Sequence, residues 1–581
     1  MALIEVLHRR ATKLGLLPKV IGKLSIVSNI LVLISIGLIL CLPLDGQYRR
    51  TYISENALLP SQAYSYFRES EWNILRGYRT AIEALIDKPA RVRNEVISSW
   101  LTDFGMKHAV YDNAADGDTL YGVYNSQRGD GTEAIVLAVP WYNTDNEVNI
   151  GGAALGISLS RYFSRWPIWS KNIILVISEN PHKAMKSWVD AYHNSLDLTG
   201  GSLEAAIVLD FPSKSEYFEF VELYFNGING ELPNLDIVNV AISVIEHEGV
   251  KVSLQGLNLS EMYTSSYFNR LKTLLFGVKN SALSGTRKLY GNEAFSGRRI
   301  QALTLKACGT EGHDITTFGR IPEAIFRSVN NLLEKFHQSF FFYFLVAPRH
   351  FVSIGSYLPS AVCLSISFGI SAAHSYINNQ YITVPLSDNS SILALIIFFG
   401  SIAISFIFLQ INETFLQPHL MILAFLLISF LPLTNIPQPL ITIQPCLSYR
   451  LKSFAFIYIS LVLTSLLVMN FALAFGMGLL AFPLTFTKSC SEMITFKSKV
   501  INCFYLAISN PFIAIFIFVS IFEDDITNFE VFSDLISSFK YMGNWTWAIT
   551  CIGWFTTWQM VYIANLDTPR SALDGDTKKN L

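Results

Sequence analysis

The distribution of apolar residues limits how this chain can fold more than any other feature. Residues 24–42 form one run without a charge, residues 43–348 are of mixed soluble character, and the remainder is almost entirely hydrophobic. A helix of roughly 20 apolar residues crosses the ~30 Å hydrocarbon core of a bilayer, where an irregular backbone would leave its polar groups unpaired. Each long apolar run is therefore a candidate span. The predicted layout is an N-terminal segment (1–23), a transmembrane anchor (24–42), a large aqueous domain with membrane-proximal tethers (43–348), a polytopic helical bundle (349–565) and a polar tail (566–581).

Composition agrees with that division. Hydrophobic residues make up 51% of the chain and charged residues 15%, with a net charge of -2. The charges concentrate in the aqueous domain and in short loops, and no basic stripe points to nucleic acid. Of seven cysteines, Cys41, Cys363, Cys446, Cys490, Cys503 and Cys551 lie in or beside apolar segments, and only Cys308 falls in the aqueous domain. That domain has no internal disulfide available, and C-x-x-C metal spacing is absent. Cys308 reads as a plain buried thiol.

Charges at the first run set its orientation. Arg9, Arg10, Lys13, Lys19 and Lys23 precede it against the single acid Glu5, so the positive-inside rule leaves the N-terminus cytosolic. The run is longer than a signal-peptide core and ends Cys41-Leu42-Pro43-Leu44, a poor cleavage site; it reads as an uncleaved signal anchor. The later runs are Phe351–His374, Ser390–Gln410, Pro418–Thr434, Ser453–Phe486, Val500–Phe522 and Gly543–Ala564. Breaking Ser453–Phe486 near Asn470 gives eight spans and two cytosolic termini. Arg450, Lys452, Lys488, Lys497, Lys499, Arg570, Lys578 and Lys579 then face the cytosol, and the acidic loop Glu523, Asp524, Asp525, Glu530 and Asp534 faces the lumen. The terminal Lys578-Lys579-Asn580-Leu581 fits a dilysine retrieval pattern of the endoplasmic reticulum. Asn258-Leu259-Ser260 is a luminal glycosylation sequon, whereas Asn389-Ser390-Ser391 lies on the cytosolic side.

Within the aqueous domain, helical patterns (Glu71–Asp87, Val92–Phe104, Gly151–Phe163, Met185–Tyr192, Pro233–Glu246) alternate with strand runs (Ala134–Val139, Asn172–Ser178, Ala205–Leu209). This predicts an α/β domain with a mostly parallel sheet covered on both faces. Ligands of such sheets sit beyond the carboxyl ends of the strands, here Pro140–Asn143, Glu179-Asn180 and Asp210. His182 and His193 read as surface residues, and Asn226–Gly230 as a turn. No nucleophile elbow appears, and Cys308 has no adjacent histidine to activate it.

That order of strand ends resembles the zinc-dependent aminopeptidase-like exopeptidases. Glu179 matches the first of the family's paired glutamates, Asp210 the following acid and His313 the late histidine. However, Asn180 stands in the second glutamate slot, Val148 or Asn149 in the bridging acid slot, and the first histidine has no counterpart. Aliphatic and carboxamide groups do not replace a bridging carboxylate. The resemblance implies an exopeptidase-like fold whose Glu179, Asp210 and His313 are degenerate remnants, with no metal, no cofactor and no catalytic residue.

Two polar segments tether the domain to its apolar flanks, Arg49–Leu58 and Asn330–Tyr343. They are predicted to converge, placing the Tyr52 and Ser54 hydroxyls beside His337, Gln338 and Ser339 and an aromatic belt, Phe340–Tyr343. These groups suit a lipid with a phosphorylated polar head, and equally an ordinary membrane interface.

Four ordered motifs add to this reading: Arg50–Leu58, a helix ending in Phe336–Phe341, Arg349–Gly355 and Gly230–Asp236. Together they resemble the GPI-anchor attachment subunit of the GPI–protein transamidase complex. The resemblance implies a multi-pass protein of the endoplasmic reticulum membrane, without catalytic residues of its own. It implies that Tyr52, Ser54, His337, Gln338 and Ser339 bind the GPI lipid. It implies as partners the other transamidase subunits, including a cysteine-protease-like catalytic subunit, and the proprotein substrate. Asn470 and Asn510-Pro511, polar or breaking elements inside spans, are pointers to where the bundle would grip the lipid. The alternatives are a membrane zinc metallopeptidase or metal-assisted amide-forming enzyme and, last, a transporter.

Overall fold

The computed structural model describes residues 22–566 except 62–64, 287, 378–388, 415–417, 436–442, 490–492, 494 and 523–529. Lys578-Lys579, the basic residues before Lys23 and the acids Glu523, Asp524 and Asp525 thus lie outside the described residues. The chain divides into two units: one of Met1–Cys41, Tyr357–Lys540 and Asn544–Leu581, the other of Leu42–Ser356 with Tyr541–Gly543.

The second unit is an α/β domain. Its strands are β1 (Arg49–Arg50), β2 (Lys107–Tyr111), β3 (Thr119–Tyr124), β4 (Glu133–Pro140), β5 (Asn172–Ser178), β6 (Ser202–Asp210), β7 (Tyr217–Tyr224), β8 (Lys251–Leu254), β9 (Gln301–Asp314), β10 (Tyr343–Ala347) and β11 (His350–Ser353). The main sheet has the order β2-β3-β5-β4-β6-β9-β7-β8. Its centre, β5-β4-β6-β9, is parallel, as is β7 with β8, while β2–β3, β3–β5 and β7–β9 are antiparallel. The sheet is mixed, a correction to the mostly parallel expectation. The difference comes from strands that carry no clean apolar run: β3 is Thr-Leu-Tyr-Gly-Val-Tyr yet wholly buried.

The central strands sort their side chains by period two. Ile135, Leu137 and Val139 of β4 join Ile173, Leu175, Ile177, Ile207 and Leu209 on one face, under the Ile150–Arg165, Leu235–His247 and Ile315–Asn330 helices. Val136 and Ala138 join Ile174, Val176, Ala206 and Val208 on the other, against Met185, Trp188 and Val189 of the Lys183–Asn194 helix. Glycine sets the closeness of one layer: a Cβ on Gly156 would stand 2.7 Å from Val139 Cγ2.

A small antiparallel sheet, β1-β11-β10, carries the tether ends. The helix expected to end in Phe336–Phe341 instead stops at Asn330. Residues 331–342 are irregular and free to follow neighbouring backbone.

Among the described residues of the first unit, four helices are long and apolar enough to cross a membrane: Leu24–Cys41, Ile354–Ile377, Ser390–Asn412 and Pro445–Met469. A fifth candidate is the pair Phe496–Ile508 and Pro511–Ser520, bent by 69°. The apolar stretch predicted to break near Asn470 does so. The Pro445–Met469 helix ends there, and the Asn470 side chain caps Phe471–Ala481 by accepting from Leu473 N at 2.9 Å. Arg450 and Lys452, expected in a loop, lie in the first turns of Pro445–Met469 and are buried. Their polar ends are satisfied: Lys452 Nζ donates to Thr487 O at 3.0 Å, and Arg450 donates to the Ser390 and Ser391 hydroxyls. At the 69° bend Pro511 interrupts the helix. Trp554 Nε1 donates to Ser509 O at 3.0 Å and Trp558 Nε1 to Leu506 O at 2.8 Å, covering carbonyls near the break.

The anchor helix packs through small residues. Its Ser28 hydroxyl donates to Ser367 O (2.9 Å) and meets Ser371 Oγ (2.9 Å), and Ser35 donates to Ser360 O (2.7 Å). Spacing of seven on both helices keeps the serines in one seam, the small-residue packing that membrane helices use. Replacing Ser28 and Ser35 together by Leu is predicted to overpack the seam by about 1–3 kcal/mol each. Thermal melting of the full-length chain in detergent checks this, and an unchanged midpoint would contradict the seam.

Candidate functional site

The carboxyl ends of β4, β5 and β6 meet at the place where an α/β sheet binds ligands. Asn149 occupies the centre and is fully buried. Its Oδ1 accepts from Gly152 N (3.2 Å) and Phe211 N (2.7 Å), and its Nδ2 donates to Pro140 O (3.0 Å) and Leu209 O (2.8 Å). The carboxamide thus ties two strand ends to a helix start, and two of its four bonds need an N–H donor. A carboxylate cannot make them. Asn180 is equally committed: its Oδ1 accepts from His182 N and Ala184 N, both at 3.1 Å, and its Nδ2 donates to Asp116 O at 3.0 Å. Both carboxamides at the anticipated ligand positions are structural.

The remaining acids there have cations of their own. Glu179 pairs with buried Arg93, whose guanidinium lies 4.2 Å from the Trp141 ring centre. Asp210 stands opposite Lys306 in the β6–β9 register. Burial pushes the Asp210 carboxyl up to about 6, against the pull of Lys306 and Asn143. Burial also opposes the Lys306 ammonium, but Asp210, Tyr290, Asp145 and Glu222 hold its pKa above the ordinary lysine value. His313 is elsewhere. It pairs with Phe218 on β7 while Lys306 pairs with Glu222, a separation of about 13 Å by strand rise. No group of three metal-binding side chains occurs among the described residues.

The other anticipated residues fare differently. His182, read from sequence as a surface residue, is largely buried at the start of the Lys183–Asn194 helix, and burial pulls its imidazole down to about 4. His193 is exposed. Burial raises the Cys308 thiol, with Glu222 adding to it, so the reactive thiolate is scarce. Asn258 is exposed and caps a short helix through Ser260 N at 3.3 Å.

The two tethers converge inside the α/β unit. Asp236, fully buried in the first turn of the Leu235–His247 helix, accepts from Ser54 N (3.1 and 3.0 Å) and Glu55 N (2.8 Å). Glu55 accepts in turn from His337 N (3.1 Å) and Gln338 N (3.0 Å). One helical turn beyond Asp236, Asn239 Nδ2 donates to Tyr52 O at 2.9 Å. The back tether is fixed by Leu235 N to Phe340 O (2.9 Å) and by the Tyr343 hydroxyl to Pro233 O (3.0 Å). All five anticipated residues, Tyr52, Ser54, His337, Gln338 and Ser339, thus belong to one junction. Its two organising acids, Glu55 and Asp236, stood in the quoted motifs without an assigned role; the wide sequence separation between each acid and the backbone it holds hid that role.

The junction holds backbone and leaves side chains available. Tyr52 is 53% exposed, and the His337 and Gln338 side chains face solvent. His337 Nδ1 lies 2.9 Å from Lys335 O and 3.3 Å from Glu55 Oε1; the Lys335 carbonyl, then the Glu55 and Glu334 carboxylates, raise its pKa. Burial raises the Asp236 pKa, opposed by the Glu55 and Ser54 N–H groups and the nearby Ser339 hydroxyl. That hydroxyl is buried beside the Asp236 carboxylate. Beside it the imidazole of His337, the amide of Gln338 and the phenol of Tyr52 form an exposed polar surface.

Substituting Asn149 by Asp is predicted to remove two donated bonds and bury a charge. The expected loss is at least about 3 kcal/mol of domain stability. Urea unfolding of the full-length chain followed by tryptophan fluorescence measures it, and zinc at stoichiometric concentration should not restore the loss. Rescue by zinc would revive the metal reading.

The Gaa1-like, GPI transamidase component family matches residues 116–562. The chain is 52% identical to the GPI transamidase component GAA1 of Saccharomyces cerevisiae over 98% of each protein. It is 33% identical to the GPI transamidase component gaa1 of Schizosaccharomyces pombe over 60% of this chain and 64% of that one. Among solved structures, a glutaminyl cyclase from an Acidobacteriales bacterium aligns over 48% of this chain and 99% of its own, at 12% identity and a TM-score of 0.31. With more than half its length matched and half its residues shared with the budding-yeast relative, the chain belongs to the Gaa1-like family of GPI transamidase components.

Proposed function

We propose that this chain is the lipid-presenting, non-catalytic subunit of a GPI transamidase of the endoplasmic reticulum membrane. The α/β domain is luminal, the chain spans the membrane eight times, and both termini are cytosolic. The GPI head is held at the tether junction by Tyr52, Ser54, His337, Gln338 and Ser339. Its amine is thereby presented to a proprotein carried by a separate cysteine-protease-like subunit. Orientation of this kind converts a bimolecular attack into a nearly unimolecular one and is worth up to about 7–11 kcal/mol.

The single observation that carries this reading is the junction itself. Four backbone N–H groups from two distant segments end on two buried carboxylates, Asp236 and Glu55, while the side chains of Tyr52, His337 and Gln338 stay exposed. Presentation without catalysis is supported by the sheet end. There Asn149 and Asn180 are structural, Glu179 and Asp210 carry resident cations, and the one thiol of the domain is protonated by burial. The relatives bear the name of transamidase components, which supports partnership with other subunits of that enzyme.

Substituting Ala at His337, Gln338 and Ser339 together leaves the pinned backbone in place. The expected outcome is a drop of roughly tenfold or more in GPI lipid retained per complex, measured by mass spectrometry after mild-detergent purification. Co-purifying subunits should remain at full stoichiometry. Undiminished lipid contradicts the assignment.

A further inference from the structure

The amino ends of β4, β5 and β6 lie at the opposite end of these strands from Asn149 and Asp210, and they bury a group of charges. Glu133 opens β4, Lys171 immediately precedes β5, and Glu204 stands in β6. The Lys171 ammonium contacts both carboxylates, Glu133 Oε2 and, at 2.5 Å, Glu204 Oε2. The Lys171 and Glu204 side chains are 2% and 1% exposed. Two carboxylates around one ammonium leave an excess negative charge. We propose that this triad is a charge-gated clasp for the back tether: its excess charge holds the Lys335 ammonium, and a proton on Glu204 releases residues 333–335.

A β-bulge aims Glu204 inward. In the β4–β6 register Ala134 pairs with Leu203 and Ile135 with Ala205, so Glu204 is the extra residue. Bulges are rare between parallel strands, and they re-aim a side chain. The neighbours record the shift. Leu203 and Ala206 share one face of the sheet, three positions apart instead of two, while Ala205 and Ile207 share the other. One residue of β6 is thus set out of the ladder, and it is the one that carries a carboxylate to a buried lysine.

The tether reaches the same corner. At the end of the Ile315–Asn330 helix, Asn330 Oδ1 accepts from Ser170 N at 2.8 Å and from Lys171 N at 3.2 Å. Beyond it Leu332 and Phe336 are buried, whereas residues 333–335 are exposed. Lys335 Nζ donates to Ser202 Oγ at 2.7 Å, two residues before Glu204 on β6. One neutral hydroxyl holds an exposed ammonium weakly, and the excess charge of the triad supplies the rest. The clasp involves no bound lipid and stands whether or not the junction binds one.

Mild acid is enough to close the gate. Burial pushes the Glu204 carboxyl up to about 7; Lys171 opposes this by hydrogen bond and charge, Glu133 adds to it, and Lys335 opposes it. These charged groups face Glu204 from β4, from the start of β5 and from the tether. An unfolded glutamate titrates at about 4.3. The folded state therefore keeps a proton that the unfolded chain gives up. The Glu204 contribution to stability is full below the unfolded value and is lost as pH rises through about 7. The same rise restores the negative charge that holds Lys335. Two histidines stand near Lys335 as well: His193 feels its charge, and His337 Nδ1 lies 2.9 Å from its carbonyl oxygen.

The test is lysine acetylation of the full-length chain in dodecyl maltoside, read by mass spectrometry at about pH 6 and about pH 8, either side of the Glu204 titration. The reactivity of Lys335 is divided by that of Lys107, exposed on β2 of the same molecule, which cancels the pH dependence of the reagent. The ratio should be roughly threefold higher in acid, the size of one screened unit charge. Glu204→Gln removes that charge at equal side-chain size and should give the higher ratio at both values. Glu133→Gln, at the partly exposed member of the triad, should raise the ratio at the alkaline value and carries the test should Glu204→Gln fold poorly. A wild-type ratio that stays constant overturns the clasp, as does an unchanged alkaline ratio in Glu133→Gln. A pH dependence that survives in Glu204→Gln belongs to His193 or His337 and overturns it too.

Discussion

Two buried carboxylates organise the candidate site. Asp236 fixes the front tether through Ser54 and Glu55, and Glu55 fixes the back tether through His337 and Gln338. Each acid reaches a segment far away in sequence, so neither bond set forms unless the domain has folded. Asp236 is held in turn by its helix, whose start is capped by Asn234 at 2.8 Å. An acid in the first turn of a helix is favoured by the helix dipole, which offsets part of the cost of burying it. The short Pro233–Asn239 stretch therefore grips both tethers: Asp236 and Asn239 hold the front one, Pro233 and Leu235 the back one.

The sheet end is held by structural amides and by ion pairs. Asn149 and Asn180 use amide N–H groups that no carboxylate possesses, so an acid at either position would lose those bonds. Arg93 and Lys306 place cations beside the acids Glu179 and Asp210. A divalent ion entering there would have to displace charges that the protein already supplies. The two faces of the main sheet are packed with aliphatic and aromatic side chains, and the same unit carries the tether junction and the small sheet.

Much of this was legible in the sequence, and the gaps have physical causes. Asn172–Ser178 reads as a strand because it is a continuous apolar run buried on both sides, and it forms with the same ends. The break at Asn470 was legible because a polar residue interrupts a long apolar run. Thr119–Tyr124 was invisible because its burial owes nothing to an apolar pattern; tertiary packing overrides its Thr, Tyr and Gly. The resemblance implied a helix ending in Phe336–Phe341, yet the backbone there follows Glu55 and Leu235 instead. The polar tether residues could be gathered from sequence, but Glu55 and Asp236 could not be singled out. A carboxylate that accepts backbone N–H groups from a remote segment leaves no local signature. His313 failed for the opposite reason: strand register, which sequence spacing does not show, sets it about 13 Å from Asp210's partner.

The account predicts that the tethers form one receptor for the lipid head rather than two independent stalks. Placing a photoreactive amino acid at Tyr52 in the intact complex, and irradiating it with bound GPI lipid, tests this most directly. The account predicts a covalent GPI adduct at Tyr52 that disappears when Ala replaces His337, Gln338 and Ser339 across the junction. An adduct that persists undiminished in that variant, or one that forms only at positions outside the junction, would contradict it.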